Sequence, residues 1–344
     1  MAYQSVGRPR FFINILEYLH STGVNSSLNN IYRTSPINTI AINSDNLSFS
    51  GSDYNAGFVI THGAFSNNNF IALLGHNFGG RKVKFLRVDS SGGAGGIPSE
   101  NYGDIIFNFE GESEPIRDGC SIRLFNGFSD FTEIQLQIAN VFEDRILSSC
   151  IMGNYYDMPH SPDLNLTLTR EYDGTKTLET KGGSTLTNSY WKKQPNWGNG
   201  FPAWHIDTSV PTTAPLSVSG RRVWNLSFSY LQDKDVFPEI SNLTNFEHTQ
   251  PSSGQNAAGD NYTGASYYDG ENKSSFSLLD ENANPNFFSE VINKSVGLPF
   301  IFQPDNTNNN PDQFAICMFD QNSFQFKQQA PNLYSCSMTI REVW

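Results

Sequence analysis

Charge is scarce in this chain. Only 16% of its 344 residues are Asp, Glu, Lys or Arg, against about a quarter in ordinary globular domains. The solvent face must then be built from Asn, Ser, Thr, Gln and Gly, a surface suited to β-sheets and packed assemblies. Positive charge is the scarcer sign, and the net charge is −12. The densest basic stretch is Arg81, Lys82, Lys84 and Arg87. It alternates like the outer face of one strand and offers no phosphate track, so no nucleic-acid partner is expected. No run of about 18–20 apolar residues occurs, so no membrane span is expected. Phe11–Leu19 is broken by Asn14 and Glu17, so no secretory signal is expected either.

Cysteine is equally sparse. Cys120, Cys150, Cys317 and Cys336 form no CxxC pair and no Cys–His spacing suited to zinc. Buried free thiols are expected, and a contact between Cys317 and Cys336 on neighbouring strands stays open. The signatures of catalysis are missing as well: no GxSxG elbow, P-loop, HExxH or dinucleotide fingerprint. The glycine-rich Ser90–Gly96 lacks the lysine and helix start that a phosphate needs. No histidine lies two or four residues from another. Carboxylates do cluster, at Glu110, Glu112 and Glu114 or at Glu281 and Glu290. Paired carboxylates could serve a glycosidase, and a solvated acidic edge that blocks sheet aggregation is the simpler account of the first group. No enzymatic activity and no cofactor are expected. Calcium is the one ion with a candidate site, in Asp305–Asp312, where Asp305, Asn309 and Asp312 would be ligands. An Asn-rich turn is the simpler account of that stretch.

What is present is apolar material in short pieces. Hydrophobic residues make up 38% and aromatics 13%, enough for real cores. Phe11, Phe12, Ile15, Leu16 and Leu19 recur at helical spacing, which predicts a short helix over Phe11–His20 in an N-terminal arm of residues 1–36. An apolar stripe that short must dock, on its own domain or on a neighbouring subunit. Residues 37–145 read as a jelly-roll β-sandwich. Phe70–Leu74 is a continuous apolar run suited to a strand buried on both faces, and Ile134, Leu136 and Ile138 alternate with Glu133, Gln135 and Gln137. Residues 146–344 read as a second β-sandwich-like domain. There Leu164, Leu166 and Leu168 alternate with polar residues, and Asp173-Gly174 is the strongest hairpin signal. Trp224, Leu226, Phe228 and Tyr230 mark another strand, and a long polar insertion spans about 241–286. The fold class is all-β.

Trp191, Trp197, Phe201 and Trp204 gather among Gly and Pro. Three readings fit them: stacking on sugar rings, anchoring a subunit contact, or forming a small core under a long loop.

Several segments resemble known families. Phe70–Phe78 resembles an element of discoidin-like jelly-roll domains found in phage tail and virion proteins. The resemblance implies that His76 and Asn77 brace the turn after the strand. Gly7–Phe12, Tyr156–Leu164 and Thr180–Gly183 resemble structural proteins of marine tailed bacteriophages. Gly220–Tyr230 and Ile340–Trp344 look like sheet strands of phage tail proteins. The resemblance implies a virion protein assembled in the host bacterial cytoplasm, in the tail or tail tip and of distal-tail or adaptor type. Its partners would be copies of itself, in a ring or trimer, and other phage tail or virion proteins. Alternatives are a carbohydrate-binding module for a host-surface glycan and a capsid decoration protein.

Overall fold

The computed structural model describes residues 6–21, 30–42, 54–61, 68–89, 94–96, 102–111, 114–126, 131–139, 145–172, 174–189, 194–198, 202–206, 220–236 and 286–344. Strand β1 (Arg10–Asn14) runs directly into helix α1 (Ile15–Ser21). The helix expected from Phe11 therefore begins four residues later. All five residues of β1 are buried, and pairing on both sides overrides the local helical spacing of Phe11 and Phe12. There follow β2 (Ile40–Ile42), β3 (Tyr54–Thr61), β4 (Asn68–His76), β5 (Val83–Asp89), β6 (Ala94–Gly96) and β7 (Tyr102–Phe107). Next come β8 (Phe109–Glu110), β9 (Glu114–Pro115), β10 (Gly119–Asn126), β11 (Phe131–Ala139), β12 (Arg145–Leu147) and β13 (Ser149–Asp157). After them lie β14 (Thr167–Glu171), β15 (Thr175–Glu179), β16 (Thr185–Ser189), β17 (Arg221–Leu231) and helix α2 (Asp233–Val236). A π-helical turn, Phe288–Ile292, continues into a short α-helix, Asn293–Ser295. The chain closes with β18 (Phe300–Gln303), β19 (Ala315–Phe319), β20 (Phe326–Ala330) and β21 (Leu333–Glu342).

Eleven of these strands form one antiparallel sheet, in the order β14-β17-β21-β19-β18-β1-β13-β4-β10-β7, with β20 attached to β21. A second sheet, β3-β11-β5-β6, packs on it as a sandwich. Phe85 of β5 meets Phe125 of β10 edge-on at 5.7 Å, and Leu136 and Ile138 of β11 share that core with Ile71 and Leu73 of β4. The fold is all-β, as the patterning indicates.

The centre of the main sheet is buried on both faces, while β14 and β20 are mostly exposed. Strict alternation sends Phe11, Ile13, Ile71, Leu73, Cys150, Met152, Phe300 and Phe302 into one core. Their neighbours Phe12, Phe70, Ala72, Leu74, Ile151 and Ile301 enter the other. That is why these strands read as unbroken apolar runs.

β1 lies near the middle of the sheet. Phe11 faces Tyr156 of β13 on one side and Phe302 of β18 on the other. The N-terminal segment thus docks in its own sheet, which takes strands from residues 1–36, 37–145 and 146–344 alike and runs across the expected boundary at 145. Gly153 permits the close approach of β1, since a Cβ there would collide with the Ile13 carbonyl oxygen and come within 2.7 Å of the Ile15 nitrogen.

The hairpin expected at Asp173-Gly174 does not form. Gly174 does adopt a φ of +67°. But β14 pairs with β17, where Leu168 faces Trp224, and β15 pairs with β16. The hairpin turn is Thr180–Ser184, with Gly183 at φ +81° and the Thr180 N–H donating to the Ser184 carbonyl at 2.8 Å. The four cysteines are free and buried. Cys317 faces Glu342 and Cys336 faces Phe228, so the two are not opposite one another. Most of the insertion expected over 241–286 lies outside the described residues. Among those described, no helix is long and apolar enough to cross a membrane.

Candidate functional site

The turn after β4 is held by its His-Asn pair. His76 is fully buried, and its Nδ1 accepts the Phe78 N–H at 3.2 Å. The proton then sits on Nε2, 2.8 Å from Ser121 Oγ on β10. Burial lowers the His76 pKa to about 3, so the ring is neutral at ordinary pH. Asn77 Oδ1 accepts the Ile146 N–H of β12 at 2.8 Å. Between them the two side chains tie the turn to β10 and β12.

Of the loop aromatics, Trp197 and Trp204 are buried and meet edge-on at 4.8 Å, with Phe314 5.8 Å from Trp204. They cap the second core of the main sheet. Burial favours the small core among the three readings, and Trp204 also contributes to the lining of an open groove. Trp204 holds a φ of +61°, a left-handed conformation that a bulky residue keeps only when its surroundings enforce it. Trp191 and Phe201 lie outside the described residues.

Of the candidate calcium ligands, one side-chain oxygen each of Asp305 and Asn309 is engaged in a local hydrogen bond. Asp305 Oδ1 accepts the Thr307 N–H and Oγ1–H, at 2.9 and 2.7 Å. Asn309 Oδ1 accepts from Gln303 Nε2 at 3.0 Å. The Asp312 carbonyl accepts from Arg222 at 2.7 Å. Glu110 and Glu114 are opposite one another on β8 and β9, while Glu112 and Glu281 fall outside the described residues. Glu290 is no surface acid: it is buried against Lys294 at 3.1 Å.

Two features escaped the sequence reading. One is an open groove of about 910 Å³ over the face of β14 and β17. Leu166, Leu168, Trp224, Trp204, His205 and Asp305 are among the residues that line it. Beside it, the Arg222 guanidinium pairs with buried Glu342 at 3.0 Å, and Gln194 donates to the same carboxylate.

The other is an exposed apolar rim. Ten large hydrophobic side chains are exposed among the described residues; Leu168 lies on β14, Tyr230 on β17, Leu178 and Leu186 on the β15–β16 hairpin, and Leu164 and Tyr172 flank β14. Leu178 and Leu186 face each other across the β15–β16 hairpin, 69% and 59% exposed. Among the described residues, β14 is an edge of the main sheet, and β15 and β16 pair only with each other. Natural sheet edges are commonly guarded by charge or proline. β16, Thr-Leu-Thr-Asn-Ser, has neither. The sequence signal was there, in two leucines placed symmetrically about Thr180–Ser184, but Asp173-Gly174 competed for the turn.

No family model, no curated protein and no solved structure matches this chain.

Proposed function

We propose that the chain is a non-enzymatic structural protein of a bacteriophage virion, a tail or tail-tip component of distal-tail or adaptor type that works as a homo-oligomer. The observation that carries this reading is the apolar rim of β14–β16. Exposed hydrophobics side by side, as Leu178 and Leu186 are across the β15–β16 hairpin, mark interaction surfaces, and an unguarded edge strand invites another chain. The partner is a second copy. With a net charge of −12, copies repel over most of their surface, and the uncharged β16 edge is where they can approach. The phage-like segments Gly7–Phe12, Thr180–Gly183 and Gly220–Tyr230 add the virion context by resemblance.

The test is light scattering of the full chain beside a Leu178→Asp/Leu186→Asp double variant. The reading requires a ring-sized or trimeric parent and a smaller, folded variant. A parent that stays monomeric at high concentration overturns it. Antibody labelling of phage particles separates tail from capsid decoration.

The groove favours a second reading, a glycan-binding module, because its volume suits a small ligand and Arg170, Arg222 and Trp224 line it. A glycan array that stays silent with folded protein removes that reading.

A further inference from the structure

A buried trio of side chains lies between the π-helical segment and the main sheet. Glu290 and Lys294 sit one turn apart on that segment, and Asn154 projects from β13 beneath it. Lys294 Nζ is 3.1 Å from Glu290 Oε2, and Asn154 Nδ2 donates to the same oxygen at 3.3 Å. All three are almost sealed from water, with exposures of 4%, 3% and 1% for Lys294, Glu290 and Asn154. Phe287, Phe11 and Tyr156 pack together on the same face, with ring centroids 5.7 and 6.1 Å from Phe287. An amine, a carboxamide and a carboxylate that touches both are thus held together in an apolar core.

As a structural ion pair the arrangement is poorly finished. Burying both charges costs more than the attraction returns unless the remaining lone pairs are satisfied. Glu290 Oε1 has no hydrogen-bond partner, and neither polar atom of the Asn69 side chain has one. Asn69 is buried directly opposite Asn154 in the β4–β13 ladder. Buried polar groups left unsatisfied call for an explanation, and single π-helical turns recur at functional sites.

We propose that Lys294 and Asn154 join in an intramolecular isopeptide bond, with Glu290 carrying the protons between them. Within the pair, Lys294 Nζ gives a proton to Glu290 Oε2 and becomes a neutral amine. Its lone pair attacks Asn154 Cγ, the Nζ–Cγ bond forms, and the carbonyl electron pair moves onto Oδ1. Asn69 has amide hydrogens unspent for that oxyanion. As the tetrahedral centre collapses, the Cγ–Nδ2 bond breaks and Glu290 relays a proton from Nζ to the departing nitrogen. Ammonia leaves as ammonium, taking the proton first lent to Glu290, and the carboxylate is restored. The sum is an alkylammonium and a carboxamide giving a secondary amide and ammonium, with no oxidant and no cofactor. The bond fastens the π-helical segment to the strand beside β1. It does not depend on the assembly reading.

Intact-mass spectrometry of the purified full chain tests this. The expected product is lighter than the sequence mass by one ammonia, and tandem spectra of a digest contain the Asn154 and Lys294 peptides joined. Glu290→Gln and Lys294→Met both restore the full sequence mass and separate the peptides, with near-ultraviolet circular dichroism reporting whether each is folded. A parent of full sequence mass with no joined peptides overturns the proposal. So does a cross-link that persists in Lys294→Met or that maps to Asn69.

Discussion

Lowering the pH from 7 to 5 charges His76 in the unfolded chain and leaves it neutral in the folded one. Its unfolded pKa is about 6.5, and burial lowers the folded value to about 3. Between those values the unfolded state binds the extra proton, so stability falls as pH falls and is fully retained only above about 6.5. At pH 5 most of the unfolded chain carries the extra proton, so the step from pH 7 costs about 2 kcal/mol, rising to about 4 kcal/mol near pH 3, where the folded ring is itself half protonated. A His76→Gln variant keeps an acceptor for the Phe78 N–H and a donor for Ser121 Oγ but has nothing to titrate. Urea midpoints of both proteins at pH 7 and 5 give the comparison. The parent should lose about 2 kcal/mol more than the variant on acidification. Asp118 acts in the opposite direction, because burial raises its pKa and protonation then favours the fold; both proteins carry it, so it cancels. Equal acid sensitivity of parent and variant would refute the reasoning.

Other perturbations follow from single contacts. Trp197→Ala opens the second core beside Trp204 and should cost about 3–5 kcal/mol in chemical unfolding. Arg222→Ala strands the buried Glu342 carboxylate and should cost about 3–5 kcal/mol by the same assay, whereas a loss under about 1 kcal/mol would mean that the pair is solvated. Gly153→Ala drives a methyl into the Ile13 carbonyl and should lower the melting temperature more than Gly182→Ala, whose Cβ meets nothing within 4 Å. Deleting residues 1–35 removes the β1 strand, so far-ultraviolet circular dichroism should report an unfolded chain; a folded but dissociated product would contradict the sheet order.

The apolar runs were the most legible part of the sequence. Phe70–Leu74 has no alternation, and it sends neighbouring residues to opposite cores. Phe11 and Phe12 misled because five buried residues followed by a helix blend into one helical spacing. Asp173-Gly174 misled for a different reason. Turn chemistry is local, while β14 takes its partner from β17, far along the chain. The exposed Leu178–Leu186 pair was hidden by the same error. Glu290 was read beside Glu281 as an acid pair, although the informative spacing was the one to Lys294, four residues on. The burial of Trp197 and Trp204 depended on Phe314, which no local pattern links to them.

The position of β1 has a consequence for biosynthesis. β1 leaves the ribosome before either of its partners, β13 on one flank and β18 on the other. At ordinary translation rates, the last of these emerges on the order of tens of seconds after Arg10. Through that interval the apolar side chains of Phe11, Phe12 and Ile13 have half of their sheet partners at most. Pairings between such distant segments are slow to close and leave sticky edges in the meantime. A nascent chain of this protein is therefore a natural client for a chaperone that binds the Arg-Phe-Phe-Ile segment of β1, and its soluble yield should rise with chaperone supply more than with any stabilising substitution in the finished fold.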